Sequence, residues 1–400
     1  MKKNKHVLKR HKFIHWLYRV LCFLITRILW GYRCKSKYKI KKGETILVLS
    51  NHQTDLDPMF VCSCFNKPVY PVGTDSLFHS KFSSHFFGRT FGMIPKRKGA
   101  SDLKASVAML RTVQEGGSLL LYPEGNRTYA EFQYHIMPAF SKFVKTLKCT
   151  LVLFRLEGGT GTRPRFANKP RKGKFTGKIT QVLKYDEYKD MSDEELLKLI
   201  YDNIRSYDSE SGNLYKSNKK AEYLERMFFV CPKCGAMHTL HSEGDHFTCS
   251  ACGLDMTYGE DMHLHSDDPS FKFNRMLDYW NYQKRVIKQM EIKPDEVIFK
   301  DEDTELYLSN PYEKRQLLFK GEMALTDKEF IFGDIHLPIE HLVTCSTISG
   351  TKLFITIKNT CYLIKGHLRF NPLKYNFVLN RLDTEMANKH LDDYFNLEEN

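Results

Sequence analysis

The sequence predicts an α/β fold in which a mostly parallel sheet is flanked by helices, and three apolar runs are the main evidence. Thr45–Ser50, Pro68–Gly73 and Ser118–Tyr122 have the length and composition of buried strands. Between the last two runs, a segment from Ser101 to Glu115 has helical spacing, with Ser101 as its predicted N-cap. Such alternation is typical of a parallel sheet, which binds ligands beyond the carboxyl ends of its strands.

The net charge of +14 is concentrated at one end of the chain. The first 50 residues contain 14 Lys and Arg against a single acid, Glu44, so they carry +13 and leave +1 for the rest. This asymmetry predicts an anionic partner for the amino-terminal end, either lipid headgroups or nucleic acid. The eleven cysteines are an odd number scattered through a long chain, which indicates a reducing compartment.

An apolar amino-terminal stretch is predicted to be an interfacial helix. Phe13–Tyr32 is interrupted by Arg19 and Arg27, and the uncharged Val20–Thr26 is far shorter than the roughly 18 to 20 residues that span a bilayer. Polar side chains form one helical stripe: Lys12, His15, Arg19, Cys22 and Thr26. We predict attachment to the cytoplasmic face of a membrane, peripheral or monotopic, through this helix and its basic flanks. A core helix and a tilted spanning helix are the alternatives.

Three short motifs follow the predicted strands: Asn51–Pro58, Gly92–Arg97 and Tyr122–Thr128. The first offers a general base, because a neutral imidazole can take a hydroxyl proton if an acceptor holds its other nitrogen. Asp57 can hold His52 in this way if the intervening turn folds back. Asp55 is the rival for that role, or a candidate N-cap of the helix that follows.

In this order the motifs resemble the glycerolipid acyltransferase family typified by 1-acylglycerol-3-phosphate acyltransferase, over roughly residues 10 to 210. The resemblance implies that His52 and Asp57 are the catalytic pair. It also implies that the basic residues of the second motif and the Glu, Gly and Arg of the third bind the acceptor and its phosphate, which gives the candidates Arg97, Lys96, Glu124, Gly125 and Arg127. Glu124 is expected either to bond a glycerol hydroxyl or to lock its loop through an ion pair.

The resemblance implies a substrate class. An acyl group would move from acyl carrier protein or coenzyme A to the free hydroxyl of 1-acylglycerol-3-phosphate, giving phosphatidic acid. The run Cys149–Leu156 lacks the proline that relatives carry in a fourth motif, so glycerol 3-phosphate or another lysolipid stays open as acceptor. A non-enzymatic zinc-ribbon protein that binds nucleic acid or lipid is the other alternative. Because it leaves the ordered motifs unexplained, no nucleic-acid partner is expected, and the oligomeric state is left open.

Two Cys-x-x-Cys pairs predict a structural zinc ribbon, with 14 residues between the inner cysteines and a glycine after each pair. The predicted ligands are Cys231, Cys234, Cys249 and Cys252. Three intervening histidines are expected at the surface because four thiolates fill a tetrahedral shell: His238, His241 and His246. The other seven cysteines show no framework spacing.

Short alternating runs from about residue 294, then helical spacing over Tyr375–Leu391, resemble a pleckstrin-homology-like or GRAM-type module, with a plain structural β domain as the alternative. Ser206–Lys220 is polar and is predicted to be a linker. We therefore predict four segments: a basic amphipathic membrane-binding segment over 1–42, an acyltransferase domain over 43–210, a zinc ribbon over 225–260, and a mainly-β module over 290–396.

Overall fold

In the computed structural model of the chain, the described residues are 5–29, 31–78, 80–97, 102–132, 134–311, 313–348 and 350–385. They form two compact units. The first draws on 1–128, 133–163 and 172–213, and the second on 129–132, 164–171 and 214–400. The predicted α/β class, with a mostly parallel sheet in the first unit and antiparallel sheets in the second, is confirmed.

The described part of the first unit contains a seven-stranded sheet. Its strands are β1 (Tyr32–Cys34), β2 (Ile46–Ser50), β3 (Val69–Thr74), β4 (Ile94–Lys96), β5 (Ser118–Leu121), β6 (Thr150–Glu157) and β7 (Phe175–Leu183). The spatial order is β1-β7-β6-β2-β5-β3-β4, and the strands pair in parallel except at β6–β7. Since β2, β5, β3 and β4 run the same way, their carboxyl ends meet at one edge of the sheet.

The helices of this unit are α1 (Lys9–Leu29), α2 (Asp57–Ser63), α3 (Lys81–Ser83), α4 (Leu103–Gln114), α5 (Ala139–Leu147), α6 (Gly159–Thr162), α7 (Tyr185–Tyr188) and α8 (Asp193–Ile204), with a π-helical turn at Ser84–Thr90. Asp102, whose carboxylate accepts a hydrogen bond from the Ala105 amide, is the N-cap of α4. The prediction of Ser101 as that cap is therefore wrong, and Ser101 itself lies outside the described residues.

Apolar side chains cover both faces of this sheet. Strands β2, β5 and most of β6 are buried along their length, which explains why their sequences are continuous apolar runs. One cluster contains Leu47, Leu49 and Leu151 beneath α4, α5 and α8, and another contains Val48 and Phe154 beneath α2. The buried sheet fixes the strand ends, and the loops that follow them carry the motifs.

Helix α1 presents its apolar side to the surroundings and its polar side to the rest of the first unit. His15 and Thr26, two members of the predicted polar stripe, are buried, as is His11. Large apolar side chains are exposed instead: Phe13, Trp16, Leu17, Val20, Leu21 and Ile28. A helix packed as a core element buries such a face, so the core-helix alternative is wrong. Over the described residues, no helix has both the length and the hydropathy needed to cross a bilayer.

Hydrogen bonds from polar side chains attach α1 to its unit. His15 Nε2 lies 3.1 Å from the Phe65 carbonyl oxygen, and the Tyr18 hydroxyl donates to the Met59 carbonyl at 2.6 Å. Arg19 Nε donates to the Ser63 carbonyl at 3.2 Å. Burial lowers the pKa of His15 to about 4, so its ring is neutral near pH 7 and donates from Nε2 without carrying a charge.

Two of the seven remaining cysteines lie together, which the sequence analysis did not predict. Cys34 in β1 and Cys64 just after α2 are paired as a disulfide, with their Cα atoms 6.2 Å apart. Thirty residues separate them in sequence, and only the packing of β1 against α2 brings them close. Their spacing in the sequence therefore carried no signal, and a disulfide does not fit the reducing compartment expected from the cysteine count.

The second unit contains two antiparallel sheets among its described residues. A four-stranded sheet consists of β8 (Leu240–Glu243), β9 (His246–Cys249), β10 (Asp255–Tyr258) and β11 (Leu264–His265). A seven-stranded sheet consists of β12 (Phe299–Leu308), β13 (Gln316–Leu325), β14 (Glu329–Phe332), β15 (Ile335–Pro338), β16 (Leu342–Ile348), β17 (Lys352–Ile357) and β18 (Thr360–Lys365). Helices α9 (Met276–Gln289) and α10 (Pro372–Glu385) complete it. The predicted terminal helix therefore begins three residues early, and its expected end at Leu391 lies outside the described residues.

Candidate active site and metal centre

His52 and Asp57 form a close pair directly after β2. His52 Nδ1 lies 2.8 Å from Asp57 Oδ2, and Asp57 is fully buried. Because a carboxylate only accepts hydrogen bonds, the neutral ring donates from Nδ1 and keeps its lone pair on Nε2. The ring stacks on Tyr122 with centroids 4.3 Å apart, so two neighbours set its orientation.

The local backbone holds the Asp57 carboxylate in place. Its Oδ2 also accepts hydrogen bonds from the Gln53 amide at 2.6 Å and the Thr54 amide at 2.9 Å. Its Oδ1 accepts from the Thr54 hydroxyl at 2.6 Å. The four-residue gap in the motif therefore forms a turn around the carboxylate, which lets a buried acid keep hydrogen-bond partners.

Asp55 neither holds the His52 ring nor caps helix α2. Helix α2 begins at Asp57 with Leu56 as its N-cap and without a side-chain cap, so the N-cap alternative for Asp55 is wrong. Its carboxylate instead pairs with Arg127 Nη1 from the third motif. Arg127 Nε also donates to the Gln53 carbonyl at 3.4 Å. These contacts hold the third motif against the turn that follows His52.

Glu124 is a buried carboxyl in the loop after β5. Its Oε2 accepts a hydrogen bond from the Tyr134 amide at 3.3 Å, and its Oε1 has no hydrogen-bond partner. Burial raises the pKa of Glu124 to about 8, helped by the negative charge of Asp57. The carboxyl therefore holds a proton near pH 7. Among the described residues it forms no ion pair, so the expectation of a loop-locking ion pair is wrong.

The turn between Tyr122 and Arg127 depends on Gly125. The Gly125 amide donates to the Tyr122 carbonyl at 3.0 Å, and its φ of 69° lies in the left-handed region that glycine adopts without strain. An added Cβ would meet nothing within 4 Å, so the space above this glycine is open. The Tyr122 hydroxyl is buried without a partner, like Glu124 Oε1. Two unsatisfied polar atoms therefore lie in the loop that neighbours His52.

Lys96 and Arg97 stand at the end of the edge strand β4. In the sheet, β4 is the third strand from β2, which places the two strands about 14 Å apart at roughly 4.8 Å between neighbouring strands. Both side chains are exposed, and the Arg97 amide donates to Asp102 at 2.8 Å. Among the described residues, neither side chain forms a hydrogen bond or ion pair with His52 or Arg127. The structure places the second motif at the same sheet edge as the other two but does not bond it to them.

A buried network behind the pair was missed by the sequence analysis. The Asp208 carboxylate accepts hydrogen bonds from the amides of Gly158 at 2.7 Å and Thr160 at 2.9 Å, and from Gln53 Nε2 at 3.2 Å. Gln53 Oε1 in turn accepts from the Gly159 amide at 2.9 Å. Burial raises the pKa of Asp208. The expectation that Ser206–Lys220 is only a linker is thus wrong for Asp208, whose partners lie about 50 and 155 residues away.

The run expected to hold a fourth motif is a structural strand, β6. Arg155 donates to the carbonyls of Asp202 at 2.7 Å and Asn203 at 2.8 Å, which satisfies the carboxyl end of α8. The Asn51 side chain bonds the backbone of Leu156 in both directions, at 2.9 and 2.8 Å. These contacts fix the residue before His52 to the neighbouring strand.

The four predicted ligand cysteines lie together in the second unit. The sulfur of Cys231 is 3.6 Å from that of Cys252, and the sulfur of Cys234 is 3.9 Å from that of Cys249. All four sulfur atoms lie within 4.8 Å of one another. Tetrahedral zinc with Zn–S bonds of about 2.3 Å requires sulfur atoms about 3.8 Å apart. The donor set and its spacing therefore fit a four-coordinate zinc ion, while the three intervening histidines are exposed.

Comparison with known proteins gives a similar solved structure and a matching family model. The crystal structure of the 1-acyl-sn-glycerophosphate (LPA) acyltransferase PlsC from Thermotoga maritima is similar to this chain, with 15% sequence identity, 49% of this chain and 79% of that chain covered, and a TM-score of 0.43. No curated protein matches the chain significantly. Residues 32–154 match the family model described as Acyltransferase, and over this stretch the resemblance drawn from the motifs is confirmed.

Proposed function

We propose that the protein transfers a fatty acyl group from an acyl thioester to the free hydroxyl of a phosphorylated glycerolipid acceptor, with His52 as general base. The observation that carries the proposal is the 2.8 Å contact between His52 Nδ1 and the buried Asp57, inside a domain of the acyltransferase family. His52 and Asp57 have the geometry of a base and the acid that orients it.

The reaction needs one proton acceptor and no acyl-enzyme. The acceptor hydroxyl oxygen attacks the thioester carbonyl carbon while His52 Nε2 takes the hydroxyl proton. The carbon–sulfur bond then breaks, and the imidazolium returns the proton to the leaving thiolate. Asp57 stabilises the imidazolium between these steps, because its charge lies against Nδ1–H throughout.

The acceptor is proposed to bind along the sheet edge. Glu124, neutral near pH 7, can donate a hydrogen bond from its carboxyl to a glycerol oxygen. Arg127, which pairs with Asp55, brings a guanidinium to the loop after β5, and a guanidinium is the cation that best matches a phosphate. Arg97, with Lys96 as the fallback, would share this phosphate with Arg127 by extending its long side chain along the sheet edge from β4. The open space above Gly125 lets such a ligand approach the loop.

We propose 1-acylglycerol-3-phosphate as the acceptor and phosphatidic acid as the product, with acyl carrier protein or coenzyme A as the donor carrier. The cationic side chains at the sheet edge favour a phosphate-bearing acceptor. The exposed apolar face of α1 favours one that resides in a membrane. Glycerol 3-phosphate and other lysolipids share the phosphate chemistry and are the competitors in an acceptor panel.

We also propose that 1–42 attaches the enzyme to a membrane surface. Among the described side chains of α1, six large apolar ones are exposed, while polar ones bond the protein. A helix of this polarity can bury its apolar face in the headgroup and acyl boundary. Basic residues in the same segment favour an anionic leaflet, with about 1 kcal/mol for each near the surface.

For the second unit we propose a zinc ribbon over 225–260 and a pleckstrin-homology-like or GRAM-type module over 290–396. The sulfur spacing of the cysteine cluster supports the first. The seven antiparallel strands and α10 support the second. Four cysteine ligands close the coordination shell, so the zinc would stabilise the fold and take no part in acyl transfer.

The base assignment predicts that His52→Ala loses activity. Acyl transfer from a labelled thioester to 1-acylglycerol-3-phosphate should fall about 10²- to 10⁴-fold, because the hydroxyl loses its proton acceptor. His135→Ala, which removes an exposed histidine of the same unit, should retain wild-type activity. Wild-type turnover in His52→Ala, with the thermal unfolding curve unchanged, would refute the assignment.

The raised pKa of Glu124 predicts a pH dependence of stability. Between the ordinary pKa of 4.5 and about 8, the folded chain keeps a proton that the unfolded chain has lost, so stability falls as pH rises across this window. Urea unfolding should show this decline in the wild type, with a contribution from Glu124 of at most about 1.4 kcal/mol per pH unit. Glu124→Gln should flatten the slope, and the exposed Glu194→Gln should not. Equal slopes in all three proteins would contradict a buried proton on Glu124.

The membrane assignment predicts that the triple variant Phe13→Ser, Leu17→Ser, Leu21→Ser fails to float with lipid vesicles, because it removes apolar area from the exposed face of α1. The matched control is Leu214→Ser, Val297→Ser, Leu368→Ser, which removes three similarly exposed apolar side chains from the second unit. Flotation of the α1 triple variant at the wild-type level would place the attachment elsewhere.

The metal assignment predicts one zinc ion per chain by atomic emission of the purified protein. Cys234→Ser should lose the metal and lower the midpoint of thermal unfolding, since structural zinc binding contributes to folding. His241→Ala, an exposed histidine between the cysteine pairs, should keep both metal and midpoint. A full zinc complement in Cys234→Ser would overturn the four-cysteine site.

A further inference from the structure

A cavity of about 580 Å³ lies between α1, β1 and the carboxyl end of α2. Its walls include four basic side chains and two apolar ones: Arg19, Arg27, Arg33, Lys37, Trp16 and Val20. No acidic side chain is among its described lining residues. The volume falls within the roughly 300–1,000 Å³ of small-ligand sites. Its chemistry therefore selects an anion that carries an apolar part.

The cavity is separate from the proposed acyl-transfer site. Both lie against α2, but His52 precedes that helix, whereas Ser63 and Cys64 at its carboxyl end line the cavity. Seven helical residues span about 10 Å, so two different ligands can occupy the two ends. None of the residues assigned to the transfer reaction contributes to the cavity.

The carboxyl end of a helix carries partial negative charge, which would disfavour an anion. Here a side chain from α1 bonds that end. The Ser63 carbonyl accepts a hydrogen bond from Arg19 at 3.2 Å, and the Met59 carbonyl, one turn earlier, accepts one from Tyr18 at 2.6 Å. The carbonyls are thus occupied, and the cations around them define the local charge.

The apolar part of the cavity continues onto the surface. Trp16 and Val20 line the cavity and are also about half exposed, at 59% and 46%, on the apolar face of α1. A ligand can therefore place its charge among the basic side chains while its hydrocarbon follows this face outward. A membrane phospholipid has that shape, and a soluble phosphate does not.

We propose that this cavity binds the headgroup of an anionic phospholipid, as a second lipid site that takes no part in acyl transfer. The inference rests on the proposal that α1 lies at a membrane surface. It adds a specific headgroup contact, made by Arg33 and Lys37 from the β1 side with Arg19 of α1 beside them. A guanidinium holds a phosphate through paired hydrogen bonds, which suits Arg33 to this role.

The chain offers a closely matched pair of variants for the test. Arg33 and Lys37 line the cavity, whereas Lys35 and Lys39 alternate with them along the same segment, are exposed, and do not line it. The test variant is Arg33→Gln, Lys37→Gln, and the control is Lys35→Gln, Lys39→Gln. Each double variant removes two positive charges from nearly the same place. A general attraction to anions would fall equally in both variants. A defined binding site would be weakened only by the substitutions that line the cavity.

The first arm titrates the full-length protein with monomeric dihexanoyl phosphatidylglycerol by calorimetry. Affinity should fall about tenfold or more in the Arg33, Lys37 variant, since each basic contact is worth about 1 kcal/mol, and about twofold or less in the Lys35, Lys39 variant. Dihexanoyl phosphatidylcholine and inorganic phosphate should bind the wild type far more weakly. Equal losses in the two variants, phosphate binding as tight as that of the lipid, or no lipid binding by the wild type would each overturn the proposal.

The second arm separates this proposal from the proposed function. Flotation with pure phosphatidylcholine vesicles reports membrane attachment, and the gain on adding phosphatidylglycerol reports the headgroup site. The Arg33→Gln, Lys37→Gln variant should float with phosphatidylcholine vesicles like the wild type and should lose most of the gain from phosphatidylglycerol. It should retain wild-type acyl transfer in neutral detergent. His52→Ala should do the reverse, losing transfer and keeping the gain. Loss of the gain in His52→Ala would show that the lipid binds at the transfer site and would refute a second site.

Discussion

The buried carboxylate of Asp57 is the constraint on which the candidate active site depends. It accepts four hydrogen bonds, from His52, from two backbone amides and from the Thr54 hydroxyl. Removing these partners would leave a charge in the interior, which costs several kcal/mol. The turn from Gln53 to Leu56 is therefore fixed by electrostatics as much as by sterics. His52 takes its tautomer, its orientation and its position from that turn.

The sheet extends this local order across the domain. Three motifs separated by up to about 75 residues end at one edge because β2, β5, β3 and β4 run parallel. That convergence was predictable, since apolar runs alternating with helices have few other solutions. The arrangement of the three motifs along that edge was not predictable. The third motif contacts the turn after His52 through Arg127 and Asp55, whereas the second lies at the end of an edge strand. Strand order depends on crossovers that periodicity does not encode.

The orientation of α1 and the role of Asp208 could not be predicted from the sequence. The polar stripe of α1 follows from helical spacing, but spacing cannot say which side meets the protein. Hydrogen bonds to backbone carbonyls place polar groups such as His15 inside and leave Phe13 and Ile28 outside. Asp208 stands in a polar segment without a motif, and its partner Gln53 is 155 residues away. A single buried acid among polar neighbours gives no periodic signal, so only the tertiary structure reveals it.

The attachment of α1 also bears on how the proposed thioester donor and the proposed lipid acceptor would meet at His52. Tyr18, Arg19 and His15 bond carbonyls within or just after α2, and Asp57 is the first residue of that helix. A helix of seven residues is too short to bend appreciably, so its two ends keep a nearly fixed separation of about 10 Å. If the apolar face of α1 lies in the lipid boundary, the Asp57–His52 pair is held at a set depth relative to the headgroups. The polar contacts between α1 and α2 would thus set the position of His52 relative to the membrane once α1 is attached. No other element would be needed to align the enzyme with the bilayer.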